Sequence, residues 1–340
     1  MTSARNKRLS HPHFMRISIE EAIVHLQKGR VVALPTETVY GLAASLAHED
    51  AIREIFRLKG RPSSNPLIIH LADPEQIFFL SSYLPPQTAA LMAGFWPGAL
   101  TLVLPVHEES IPTVVRAGLP TAGFRIPKHP LVRKVLESTG PLVMPSANLS
   151  GRPSATRVEH VEEDFGIDFP CLDGLSCAEG VESTILLYQN EAWRIGRLGA
   201  IPAEACVPIL GYMPELVVKE SLEAPLCPGL AFRHYAPQAA LFFDKAELLK
   251  GTCAILGFEE RTYPAGHPIF FLGSLQDAAS VAERLYGVLR LLDQEKVERA
   301  WLDMDFPRTG LWLTVAERLR RAAEEGGEHG VKDRGSNQKL

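Results

Sequence analysis

From residue 18 onward, apolar positions recur with clear periods. Ile19, Ile23 and Leu26 share one helical face behind a Ser18–Glu21 capping box, and Gly29 ends that helix. RVVALP, 30–35, reads as a buried strand stopped by Pro35. A second helix is predicted over 49–59, with Ile52, Ile55 and Phe56 inward and Gly60 at its end. Strands follow at 66–71, 99–105, 121–126, 142–145, 183–188 and 192–197; helices fit 74–82, 86–94, 129–139, 156–164 and 202–210. The order is no regular βαβ alternation, and two late strands meet at Asn190. This predicts an α/β fold: a twisted mixed sheet with helices.

From about 206 to 238 the period is lost, and EAPLCPGLAFRHYAPQ carries three prolines, so this stretch reads as a linker. A second unit follows, with strands at 239–243, 252–257, 268–272 and 298–303 and helices at 245–250, 276–293 and 311–323. Its pattern predicts a small three-layer α/β domain. The expected division is a disordered arm 1–14, a first domain 15–205, a linker 206–238, a C-terminal domain 239–325 and a disordered tail 326–340.

The length of 340 residues allows two domains, and 46% apolar and 22% charged residues are those of a globular protein. A net charge of −5 argues against a general nucleic-acid coat but permits a local basic cleft. Five cysteines without a C-x-x-C read as reduced thiols of a cytoplasmic protein. No apolar run reaches the ~18 residues of a membrane span. Phosphate-loop, dinucleotide, zinc-protease and serine-hydrolase signatures are absent from the sequence.

Four polar loops at strand ends carry the candidate chemistry. PTETVYG, 35–41, offers hydroxyls and a carboxylate, though a capped turn explains it equally. KGRPSSNPLIIH, 59–70, sets Lys59, Arg61 and Asn65 in a loop stiffened by Pro62 and Pro66, ahead of His70. LPTAGFRIPKHP, 119–130, places Arg125 among apolar neighbours, where a buried guanidinium needs an anion. MPSANLSGRPS, 144–154, is rich in donors, including Arg152. With Arg197, these cations cluster without a compensating acidic set, which points to an anionic ligand: a nucleoside triphosphate or an RNA backbone.

These stretches, together with WPGALTLVL (96–104), TAGFRIP (121–127), PSANLSG (145–151), ESTI (182–185) and RLGAI (197–201), resemble the YrdC-like family of threonylcarbamoyl-AMP synthases. PGLAFRHYAPQ, 228–238, is similar to the linker of that family's long, two-domain form, although Leu230-Ala231-Phe232 replaces a more polar, lysine-containing stretch. The resemblance implies an ATP-dependent nucleotidyltransferase. It joins L-threonine, bicarbonate and ATP into threonylcarbamoyl-adenylate, with release of pyrophosphate, for modification of the adenosine beside a tRNA anticodon. It implies a threonine site at Thr36, His70, Arg125, Met144 and Ser183. It places ATP at Lys59, Arg61, Asn65, Thr121, Ser146, Ser154, Arg197 and Tyr235, with Lys59 and Arg61 acting electrostatically, no covalent nucleophile, and Mg²⁺ accompanying ATP. It further implies hand-over to a downstream tRNA threonylcarbamoyl transferase, with weak or indirect RNA contact. The alternative expectation is a non-catalytic double-stranded-RNA-binding module. A carbamoyl-transfer domain of hydrogenase maturation would bring acylphosphatase-like and zinc-finger segments, which the sequence does not contain.

Overall fold

The structure, a computed structural model, describes residues 16–217 and 235–323. The expected arm and tail, and linker residues 218–234, lie outside the described residues. Eight strands form the first sheet: β1 (Val32–Leu34), β2 (Gly41–Ser45), β3 (Ile68–His70), β4 (Leu100–Pro105), β5 (Thr121–Arg125), β6 (Leu142–Val143), β7 (Thr184–Gln189) and β8 (Ala192–Arg197). Their order is β1-β2-β6-β3-β5-β4-β7-β8. The β3–β5 and β4–β7 pairs are parallel and the rest antiparallel, so the sheet is mixed as expected. The helices around it are α1 (Ile19–Gln27), α2 (Glu49–Lys59), α3 (Ile77–Leu80), α4 (Thr88–Phe95), α5 (Thr113–Arg116), α6 (Pro130–Thr139), α7 (Val158–Phe165) and α8 (Val207–Leu210).

The two-residue period of strands decides which side chains meet the main core. Ile69, Leu100, Leu102, Leu104, Ala122, Phe124 and Leu186 pack with Ile52, Ile55 and Phe56 of α2 and with Leu91 of α4. Their neighbours Ile68, Val103, Ile185 and Leu187 cluster separately with Val217. By the same alternation His70, Thr121 and Arg125 share that second face. Arg197 reaches it differently. Trp193 and Ile195 point into the main core, and strict alternation would send Arg197 there too. A register shift at Ile185/Leu186 sets Arg197 opposite Ile185 and Ile195 opposite Leu186, leaving Gly196 as the extra residue.

A second sheet holds β9 (Ala240–Phe242), β10 (Ala254–Phe258), β11 (Ile269–Gly273) and β12 (Arg299–Leu302) in the order β11-β10-β12-β9, all parallel. Helices α9 (Ala278–Gln294) and α10 (Leu311–Ala323) pack Leu285, Leu289, Val315 and Leu319 on one face. The other face carries Leu248, from a 3-10 turn over Lys245–Lys250, against Ile255 and Trp301. The first core cluster of this unit continues into Val39, Ala99, Val181 and Ala200 of the first sheet's loops. Helix α9 lies so close to Gly180 that a Cβ there would stand 2.2 Å from the Glu283 Cα, and Gly180 has φ +66°.

Three local features differ from the sequence reading. GLAAS forms β2, because burial on both faces outweighs the helical leaning of its small residues. The segments read as helices over 74–82 and 202–210 open as 3-10 turns, Pro74–Gln76 and Ala203–Cys206. The single turn α5 carries no periodic signal of its own. Cys171, Cys177, Cys206 and Cys253 are free thiols, and among the described residues no helix is long and apolar enough to cross a membrane.

Helix α7 contains one titratable core group. His160 is fully buried, and burial first, then Arg290 and Arg157, push its pKa down to about 2. The unfolded chain takes up a proton near pH 6.5 that the folded chain refuses. Stability from this residue is therefore intact above pH 6.5 and declines as pH falls towards 2, by up to about 1.4 kcal/mol per pH unit. We expect urea unfolding at pH 7 and pH 5 to show a larger loss in the wild type than in His160→Gln, by about 1–2 kcal/mol. Equal losses would contradict this.

Candidate active site

The second face of the first sheet opens into a hollow of about 640 Å³, counting the part open to solvent. Its deep end is built on a turn. The Thr36 hydroxyl accepts from the Thr38 and Val39 amides (3.1 and 3.2 Å) and donates to the Val39 carbonyl (2.6 Å). That turn presents Glu37 and Thr38 to Arg125, which ends the interior strand β5. Arg125 donates to Glu37 Oε1 (2.6 Å), Thr38 Oγ1 (2.8 Å) and the Gly98 carbonyl (3.0 Å). Burial raises the Glu37 pKa, but the Arg125 cation outweighs it and holds the carboxyl below its usual range. Beside Arg125, His70 is buried, and burial and then Arg125 push its pKa down to about 3, so it is neutral at ordinary pH.

The middle of the hollow is lined by two loops locked together by Lys59. This last residue of α2 is buried, and its ammonium donates to the carbonyls of Ser146 and Asn148 (2.6 Å for the latter). The Ser150 amide donates back to the Lys59 carbonyl at 2.8 Å. Burial, then Arg61, depress the Lys59 pKa well below its ordinary value. Gly60, at φ +60°, terminates the helix and turns the chain into the proline-flanked loop. Arg61 then folds over its own loop, donating to the Asn65 and Pro66 carbonyls (3.3 and 2.8 Å). Burial and the Arg197 charge lower its pKa to about 9.

The far wall comes from β7 and β8. Arg197 donates to the Ser183 carbonyl (2.9 Å) and hydroxyl (3.2 Å), and Ser183 also meets the Thr101 hydroxyl at 2.8 Å. Glu182 stands beside them, and Tyr235 closes the rim with φ +70°. Burial, partly offset by Arg318, raises the Tyr235 pKa to about 12, so its hydroxyl stays protonated.

Of the residues expected from sequence, Arg61, His70, Arg125, Met144, Ser146, Ser154, Ser183, Arg197 and Tyr235 line this one hollow. Thr36, Lys59 and Asn65 stand behind its wall rather than in it, as supports of the turn and loops. Thr121 lies at the opposite end of β5, in an adjoining apolar depression with Val103, Pro105 and Leu187. The cations are not without acidic partners. Glu37 pairs with Arg125, and Arg152 pairs with Asp164 (2.7 Å), with Asp293 at 3.7 Å. The sequence argument that no compensating acids exist is thus corrected: the acids come from other segments, including α9. Among the described residues, Arg61 and Arg197 donate only to neutral oxygens.

Among the polar lining residues, the one that the sequence reading does not single out is Glu182. A signal existed for Glu182: a carboxylate directly before a buried strand needs partners. For a divalent ion, the described residues contain no group of three or more His, Cys, Asp or Glu able to hold one. Glu182 is committed to Ser154, Tyr286 and Arg318. Among the described residues Asn148 Oδ1 in the wall is buried without a hydrogen-bond partner, as are Asn65 Oδ1 behind it and Asp293 Oδ2. That donor set fits a magnesium ion carried in by phosphates rather than one caged by protein. The hollow as a whole is suited to holding an anion in line with a neutral imidazole and a paired guanidinium, by charge and position rather than by a nucleophile.

Comparison with known proteins identifies the family. A family model described as telomere recombination matches residues 24–199, and one described as the threonylcarbamoyl-AMP synthase C-terminal domain matches 203–324. The threonylcarbamoyl-AMP synthase of Bacillus subtilis is 38% identical over 322 residues, covering 90% of this chain and 92% of that protein. That of Pyrococcus abyssi is 37% identical over 316 residues, covering 88% and 92%. The crystal structure of P. abyssi Sua5 complexed with L-threonine matches with a TM-score of 0.82 at 34% identity, over 91% of this chain and 95% of that one. Two matched regions, similarity over nearly the whole length and a shared fold lead to one conclusion: this chain is an enzyme of the threonylcarbamoyl-AMP synthase family, with both the YrdC-like and the C-terminal units.

Proposed function

We propose that the protein makes threonylcarbamoyl-AMP from L-threonine, bicarbonate or CO₂, and ATP, releasing pyrophosphate. The observation that carries this reading is the pair Arg61 and Arg197. Both face the hollow, and among the described residues both donate only to neutral oxygens. Their like charges repel, which Glu182 beside Arg197 offsets only in part, and a polyphosphate relieves that repulsion. In this reading ATP takes Lys59, Arg61, Asn65, Thr121, Ser146, Ser154, Arg197 and Tyr235. Lys59 and Asn65 act by shaping the loop. Thr121 and Arg125 are four residues apart on one strand face, about 13 Å by strand rise, which spans a nucleotide from base to α-phosphate. Threonine takes the deep end, at Thr36, His70, Arg125, Met144 and Ser183. Its carboxylate meets the remaining N–H groups of Arg125, whose other donors are fixed by Glu37, Thr38 and Gly98.

The free threonine amine adds to CO₂ with loss of a proton to solvent, or to bicarbonate with loss of water, to give a carbamate, and a carbamate oxygen attacks the α-phosphorus as the bond to pyrophosphate breaks. Neutral His70 can hydrogen-bond the threonine amine through its free ring nitrogen, while Arg61 and Arg197 stabilise charge on the leaving phosphates. Bound magnesium would add charge neutralisation on the phosphate oxygens. Carbamates decompose in water, so in this reading the linker 206–238, which carries Tyr235 at the rim of the hollow, acts as a cover for the catalytic unit 15–205. The product would pass to a tRNA threonylcarbamoyl transferase in the cytoplasm, so this chain needs little RNA contact of its own. The recessed position of Arg125 and Arg197, both at least nine-tenths buried, disfavours a double-stranded-RNA surface, which needs exposed cations.

Incubation with ATP, threonine and bicarbonate should give AMP-linked threonine by mass spectrometry, with pyrophosphate release dependent on threonine. Salt-sensitive RNA binding without turnover would replace this reading by the RNA-binding one. Lys59→Ala should abolish threonine-dependent pyrophosphate release, and Arg197→Ala should lower it about a hundredfold; normal turnover in both would refute the phosphate assignment. Arg125→Lys loses the planar fork and should raise the threonine KM about tenfold or more with the ATP KM little changed. The reverse pattern would exchange the two ends of the hollow.

A further inference from the structure

One cluster joins the hollow to the helices of the second sheet. The buried Glu182 carboxylate, in the wall, accepts from the Ser154 hydroxyl (2.7 Å), the Tyr286 hydroxyl (2.8 and 3.0 Å) and Arg318 Nε (2.9 Å). Tyr286 on α9 and Arg318 on α10 are themselves fully buried and do not face the hollow. Arg318 also donates to the Leu198 carbonyl at 2.7 Å and lies 4.9 Å over the Tyr235 ring, on which Tyr286 stacks at 5.3 Å. The Thr314 hydroxyl, one turn earlier on α10, donates to the Gly199 carbonyl at 2.9 Å.

A carboxylate in the wall of a phosphate site repels its ligand unless another group takes up the charge. Ser154 alone is too weak to do so. The neutralising groups come from α9 and α10, and the same two side chains hold Tyr235 at the rim. We propose that Glu182 is a positioning residue for ATP. Its charge is countered chiefly by Arg318 and its oxygens are held by the Tyr286 hydroxyl, so that docking of the C-terminal unit makes the phosphate end of the hollow hospitable and fixes Ser154 and Tyr235 around it. The inference rests on the ATP reading above and gives the C-terminal unit a role in it. Glu182 makes no hydrogen bond to Arg197 and acts on it only through charge, because its hydrogen bonds go to Ser154, Tyr286 and Arg318.

The test compares ATP affinity by calorimetry, and the KM values for ATP and threonine, in four full-length proteins. Tyr286→Phe removes only a hydroxyl and should weaken ATP about tenfold while the threonine KM stays within about twofold. Arg318→Met should weaken ATP further, because it leaves Glu182 facing the phosphates unneutralised. Adding Glu182→Gln to Arg318→Met should restore most of the lost affinity, a recovery that a purely structural role cannot produce. Equal changes in both KM values, or a double variant no better than Arg318→Met, would overturn the proposal. Should Arg318→Met not fold, Tyr286→Phe alone decides by the same KM split. A wild type that neither binds nor consumes ATP would bring down the proposed function, and this inference with it. Wild-type turnover with unchanged variants would overturn the coupling alone.

Discussion

The site depends on one constraint: a guanidinium drawn out of water must be hydrogen-bonded before any ligand arrives. Arg125 meets it with a carboxylate, a hydroxyl and a carbonyl. Arg61 and Arg197 meet it with neutral oxygens from backbone and serine. The difference matters. A paired guanidinium orients a ligand through its leftover N–H groups with little net charge, whereas guanidiniums bonded to neutral acceptors keep their charge and attract anions strongly. One recess thus contains a nearly neutral end and a more positive one, the latter where the proposed function places phosphate. Neither end needs a loop to move for its own cations to be satisfied.

Much of this was legible in the chain. The strand runs, the long helices and the mixed order follow from periodicity, because strongly patterned elements such as α2 and α10 are decided locally. Element α5 and the split helices at 74 and 203 were not legible, since single turns carry no period. β2 was hidden because GLAAS has no strand-forming residue beyond Leu42, and only its place between β1 and β6 makes it a strand. At the site, residue types at strand ends pointed to an anion, but the distinction between wall and support did not show. Lys59 reads as a ligand cation in sequence and is a tie for two carbonyls in space. The acidic partners were invisible for a similar reason. Asp164, Asp293 and Glu182 are 12 or more residues from the cations they serve, and only tertiary structure brings them in.

The two arginines on the buried faces of α9 and α10 were readable in principle. Arg290 follows Tyr286 by four residues, and Arg318 sits between Val315 and Leu319, so each falls on an apolar face. An arginine there announces a buried acid elsewhere. Arg290 finds Asp164 and the Pro153 carbonyl (2.8 and 2.6 Å), and Arg318 finds Glu182 and the Leu198 carbonyl. Both targets lie in segments that line the hollow or directly support it.

That convergence bears on what the second unit contributes. Its parallel sheet and two helices would bury an adequate core without any arginine on the docking faces. Purely apolar contact, as between Val181, Ala200 and the α9–α10 surface, would hold the units together but would tolerate sliding, because dispersion and burial are not directional. Hydrogen bonds from Arg290 to the Pro153 carbonyl, from Arg318 to the Leu198 carbonyl and from Thr314 to the Gly199 carbonyl fix the register at three points. Those points bracket Ser154 on one side and Arg197 on the other. An interface specified this closely at the edges of the hollow constrains the hollow itself, and the distance between its walls becomes a property of how the second unit is seated.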